Sequence, residues 1–103
     1  MLPKSKRLTR DDFSKLQKRT TIRGNYFDVV ISPSSETKFA CVITKKRIKL
    51  ATNRNSVRRK IYHALNGVVI KSPHLVIFYP KQNAHNASYK ALLEEIQKVF
   101  ATI

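Results

Sequence analysis

Between Lys45 and His63 the chain reads KKRIKLATNRNSVRRKIYH, with eight lysines and arginines and no acid. This stretch sets what the rest of the molecule has to be. It starts as a loop of cations, Lys45 to Leu50, and turns into a helix at Ala51–Thr52, with Thr52 or Asn53 as the cap. On a helix, residues four apart lie one above the other, so the segment can be read in rows. Asn53, Val57, Ile61 and Leu65 form the row that docks on a core. Arg54, Arg58 and Tyr62 form the next, Asn55, Arg59 and His63 a third, and Ser56 and Lys60 a fourth. One stripe packs while cationic and amide groups fan outward. Asn66–Gly67 closes the helix, with glycine suited to the left-handed position just past the end. The remainder reads as a scaffold for this segment, with one apolar groove beside it.

A helix start attracts phosphate through its unpaired N–H groups and its dipole. Here Lys45, Lys46, Arg47 and Lys49 precede that start, and Arg54, Arg58, Arg59 and Lys60 follow it. Arginine gives planar, two-pronged contacts to phosphate, and Asn53 and Asn55 can address sugar or base edges. A merely solvated face would mix in acids, and this one has none. The whole chain repeats the imbalance: 21 basic residues against 6 acidic ones give a formal charge of +15 in 103 residues. So large an excess repels itself in a folded domain, and polyanion binding is the reason to keep it. A membrane surface is the weaker candidate. No apolar run nears the roughly 20 residues that span a bilayer, and MLPKSKRLTRDDF lacks the apolar centre of a signal peptide. The single cysteine, Cys41, lies in an apolar run and reads as a small core residue in a reducing, cytoplasmic setting.

The length suits one domain, residues 1–103, with 1–10 as a basic arm carrying Lys4, Lys6, Arg7 and Arg10. Thr9 with Asp11 and Asp12 starts a short amphipathic helix with Phe13 and Leu16 on one face, ending near Thr20. A short strand is possible at Thr20 to Arg23. Tyr26 to Ile31 is a strand, with Phe27, Val29 and Ile31 on one face and Tyr26, Asp28 and Val30 on the other, stopped by Pro33. Phe39 to Thr44 is the next, a nearly unbroken apolar run covered on both faces, and the short link predicts an antiparallel hairpin between the two. After the basic helix, Val68 to Ile70 is a turn or a strand start. Ser72 to Tyr79 is a strand stopped by Pro80, and Lys81 to Ala87 is a polar loop. Ser88 then caps a last helix on which Tyr89, Leu92, Leu93, Ile96, Val99 and Phe100 recur at helical spacing.

No enzyme site emerges from the residues. Metal spacings such as HxH, HExxH or CxxC are absent, His63, His74 and His85 are scattered, and two glycines cannot build a phosphate-binding loop. A protein nuclease would need clustered carboxylates, for which Asp11, Asp12 and Asp28 are the only remote set. Aromatics beside cations could flank a trough for unpaired bases, although spacing alone favours core positions for Phe13, Phe27 and Phe39.

Three blocks together resemble the protein subunit of bacterial ribonuclease P. They are LPKSKRLTRDDF, a basic arm running into a helix; ITKKRIKLATNRNSVRRKIYH, a strand, Lys-Lys loop and signature helix; and LVIFYP followed by an amphipathic helix. The second block is the specific one. Within it, Ser56 stands where the pattern has a second arginine and Ile48 where it has a glycine, and Leu16 and Gln17 replace a further aromatic in the first helix.

The resemblance implies an α+β fold, a compact α/β sandwich of αβββαβα order with a left-handed βαβ crossover, similar to domain IV of elongation factor G. It implies a cytoplasmic subunit, one per RNA, that binds a catalytic RNA and the 5′ leader of precursor tRNA. The RNA, with Mg2+ at its active site, would do the endonucleolytic chemistry; the protein would hold no catalytic residue and no cofactor. Lys45, Lys46, Arg47, Lys49, Arg54, Asn55, Arg58, Arg59 and Lys60 would contact the catalytic RNA. Phe13, Lys15, Tyr26 and Val30 would line the leader cleft, which moves Phe13 from core to site. A ribosomal or other structural RNA-binding protein of similar fold is the alternative.

Overall fold

The run LVIF ends up at the centre of the sheet. In the computed structural model, which describes residues 19–66 and 73–101, it belongs to a strand with a neighbour on each side. The strands are β1 (Thr20–Arg23), β2 (Phe27–Pro33), β3 (Lys38–Cys41) and β4 (His74–Pro80), ordered β1-β2-β4-β3. β2 runs antiparallel to β1 and β4, and β3 runs parallel to β4. Helix α1 (Ala51–Leu65) connects β3 to β4, and α2 (Tyr89–Ala101) ends the chain after a 3-10 helix at Gln82–Asn86. The fold is therefore α+β. The basic arm, the helix expected from Asp11, and the positions Gly67, Val68 to Ile70 and Ser72 lie outside the described residues.

The expected β2–β3 hairpin does not form. β4 is inserted between the two strands, with Ile31 opposite Val76 on one side and Phe39 level with Val76 on the other. The short link instead steps across the start of β4, where the Ser34 amide donates to the Pro73 carbonyl at 3.2 Å. The two-sided burial expected of Phe39 to Thr44 belongs to β4: Leu75, Val76, Ile77 and Phe78 are all buried, whereas Val42 and Thr44 are exposed and β3 ends at Cys41. Pro33 ends β2 as expected: it is the strand's last residue, opposite His74.

Alternation sorts the strands into two faces. Ile22, Val29, Phe78 and Cys41 form one cross-strand row, and Thr20, Ile31, Val76 and Phe39 the next. This face meets the helices. Val57, Ile61, Ala64 and Leu65 of α1 and Leu92, Ile96 and Val99 of α2 are buried against it. Each valine, isoleucine or leucine side chain taken out of water here contributes about 1.5–3 kcal/mol. Phe27 and Phe39 are core, as spacing predicted, and Phe27 meets Phe78 edge-on at 5.3 Å. The core row of α1 holds for its three aliphatic members; Asn53 is half-buried.

Two chain reversals are held by side chains. Glu95 of α2 accepts hydrogen bonds from the amides of Asn25, Tyr26 and Phe27 at 2.6, 2.9 and 3.2 Å. A Cβ on Gly24 would lie 2.7 Å from the Phe27 carbonyl and 2.9 Å from the Glu95 carboxylate, so only glycine fits that turn. Ser88 caps α2 as expected, its hydroxyl accepting from the Ala91 amide at 3.1 Å. α1 begins earlier than expected, with Leu50 at the cap position and no side-chain cap. The expected loop at Lys81 to Ala87 contains the 3-10 helix, which buries Ala84.

Candidate nucleic-acid interface

The loop before α1 is pinned by its one apolar residue. Ile48 is 3 % exposed and belongs to the core cluster, and its amide and that of Arg47 both reach the Thr44 carbonyl. With Ile48 pointing in, Lys45, Lys46 and Lys49 on either side point out and are exposed. Arg54 reaches back from the first turn of α1 and donates to the carbonyls of Ile48 and Lys49 at 2.9 and 2.7 Å. The basic loop and the basic helix are thereby one unit.

The nine residues expected to face RNA divide into three groups. Arg47, Arg54 and Lys60 tie the scaffold together. Arg47 donates to the Tyr79 and Pro80 carbonyls and sits 3.6 Å from Asp28, and Lys60 donates to the Ala87 carbonyl at 3.2 Å, joining α1 to the start of α2. Arg58 donates to Asn55 Oδ1 at 3.0 Å along the helix surface. Lys45, Lys46, Lys49 and Arg59 are exposed and have no partner among the described residues. No acid among the described residues pairs with these four cations either. Among the described residues, Glu36 pairs with Lys38, Glu95 is occupied by backbone amides, and Asp28 faces Arg23, Arg47 and Lys81.

Beside the outward rows of α1 runs an open groove of about 910 Å³, whose lining includes Asn55, Ser56, Arg59, His63 and Tyr89. Tyr89, the first residue of α2, is 38 % exposed and its ring lies 5.2 Å from that of His63. His63 was expected on an outward row of the helix but not named as a contact, and Tyr89 was read only as one of the residues recurring at helical spacing in α2. The signal that could have separated it is its place directly after the Ser88 cap, at the open end of the helix.

A second depression, about 370 Å³, opens on the sheet face away from the helices and is lined by Val30, Val42, Thr44, Arg47 and Tyr79 among others. Val30, expected in a leader cleft, is here. Tyr26 is not: it precedes β2, packs against the core cluster and lines a separate hollow with Glu95 and Lys98. Phe13 and Lys15 lie outside the described residues. Asp28, 8 % exposed, stands at the edge of the depression. Its Oδ2 is 3.6 Å from Arg47 and 4.0 Å from Arg23; Oδ1 is 3.4 Å from Lys81 Nζ, in ionic contact but without a hydrogen bond. A carboxylate held among three cations is suited to fixing them in place. Among the described residues no group of three or more His, Cys, Asp or Glu could hold a metal ion. Nor is any of their helices long and apolar enough to cross a membrane.

The fold has known counterparts. The Staphylococcus aureus RNase P protein superposes with a TM-score of 0.77 at 18 % identity, covering 96 % of this chain and 95 % of that one. The Thermotoga maritima RNase P protein gives a TM-score of 0.81 at 19 % identity, covering 94 % and 96 %. In sequence, the ribonuclease P protein component of Thermus brockianus is 29 % identical over 86 residues, 84 % of this chain. The chain's match covers about half of that relative, 52 % of its length. The family model described as Ribonuclease P matches residues 2–103, so nearly every position, the basic loop and α1 included, is accounted for by one family pattern, and the chain belongs to the ribonuclease P protein family.

Proposed function

We propose that this chain is the RNA-binding protein subunit of a ribonuclease P, and that it supports 5′ maturation of precursor tRNA by binding both a catalytic RNA and the 5′ leader. The observation that carries the reading is the cationic surface of the Lys45–Leu50 loop and the docked helix α1, where Lys45, Lys46 and Lys49 in the loop and Arg59 on the helix are exposed without acidic partners among the described residues. Such a surface suits the phosphates of a folded RNA. The leader would lie over the depression at Val30, Val42 and Tyr79, where apolar surface and Arg47 adjoin. The chemistry would belong to the RNA, with Mg2+ at its active site; this chain contributes binding and orientation. One protein per RNA and a cytoplasmic location complete the proposal.

Reconstitution tests it. The purified protein alone is expected to leave precursor tRNA intact and, added to a ribonuclease P RNA, to raise processing at limiting Mg2+. Lys46→Ala should weaken RNA binding and lower the slope of log K against log salt by about 0.7–0.9. Cleavage by the protein without RNA, undiminished in Lys46→Ala, would defeat the proposal.

A further inference from the structure

We propose that the groove between α1 and the start of α2 receives one unpaired nucleotide of the bound RNA, its base stacked on Tyr89 and its phosphate on Arg59. The inference rests on RNA being the partner, and it deepens that reading by assigning residues outside the basic segment. Tyr89 is the exposed aromatic of this surface, and with His63 at 5.2 Å and a 55° tilt it forms a bent aromatic wall. Arg59 and Asn55 line the same groove, one turn of α1 apart. Asn55 gives its Oδ1 to Arg58, and its amide nitrogen has no hydrogen bond among the described residues, which leaves a donor for a base edge. Ser56 lines the same groove. Its volume, about 910 Å³, lies within the range of roughly 300–1,000 Å³ typical of ligand clefts.

The chemistry selects an unpaired base. Duplex RNA hides its base faces and offers only phosphates and groove edges, so it would leave an aromatic wall unused. A single-stranded nucleotide uses both halves: the ring face stacks, and the backbone meets a cation. An acidic peptide would need only the cations. The placement also explains why Lys60 is drawn inward to the Ala87 carbonyl: that bond fixes the distance between the two walls.

The test uses the full chain and a 12-nucleotide oligouridylate carrying 4-thiouridine. Photocrosslinking to the unaltered protein, mapped by mass spectrometry, should place the adduct at Tyr89 or His63. Binding titrations across salt should show Tyr89→Ala weaker by about tenfold with an unchanged salt slope, and Tyr89→Phe close to the parent. Arg59→Ala should instead reduce the slope by about 0.7. Binding by the parent with crosslinks elsewhere and no loss in Tyr89→Ala would overturn the groove and leave RNA binding intact. Failure of the parent to bind this oligonucleotide or a ribonuclease P RNA would overturn both. The crosslink map needs no substitution, so an unstable Tyr89→Ala cannot obscure the answer.

Discussion

Glu95 is the residue on which the β1–β2 turn depends. Three backbone amides converge on its carboxylate, and buried or half-buried amides left without an acceptor are costly. Glu95→Ala should lower stability by about 1–3 kcal/mol, read as an earlier urea midpoint, while Glu95→Gln, which keeps one acceptor oxygen, falls in between. Cys41 provides a pH signature. Burial pushes its thiol up from the ordinary 9.0 to about 12, with the Arg58 guanidinium pulling weakly the other way. The folded chain thus holds this proton more tightly than the unfolded chain does. The resulting stabilisation is complete below pH 9 and is lost as pH climbs toward 12. Between pH 9 and 11 the parent should lose stability more steeply than Cys41→Ala, measured by denaturant titration at each pH. Iodoacetamide at pH 8 should modify Cys41 only slowly until denaturant is added.

At the scale of elements, α2 is set by its cap. The Ser88 hydroxyl satisfies the Ala91 amide, and Ser88→Ala should cost about 0.5–2 kcal/mol, seen as a lower midpoint with fraying at the first turn. That element was legible because cap and apolar period coincide in the sequence. So was the inner stripe of α1, since Val57, Ile61 and Leu65 are set by helical spacing alone. The sheet order was not. A short link between two apolar strands is compatible with a hairpin and equally with a step across a third strand, and the choice was made by residues His74–Pro80, more than thirty positions later. The start of α1 was misplaced for a related reason. Leu50 stands at the cap position with no side-chain acceptor, and no residue type there signals a helix start.

For the whole molecule, charge dominates. A formal +15 on 103 residues should make the free protein softer at low ionic strength, and anions that bind the folded surface should firm it. The melting temperature is expected to rise more in sulfate or phosphate than in chloride at matched ionic strength, and an equal rise would point to screening alone. The excess of positive charge and the segment that concentrates it were legible, since that stretch holds eight cations and no acid. The division of labour among the cations was not, because Arg47 and Lys60 are claimed by carbonyls of Tyr79, Pro80 and Ala87, which sequence distance conceals. The late arrival of β4 has a consequence during synthesis. A nascent chain that ends at Pro73 contains the residues of β1, β2, β3 and α1 but lacks the strand that lies between β2 and β3. The sheet can take its native order only once His74–Pro80 have been made, so the earlier strands and the basic helix wait on a segment synthesised after them.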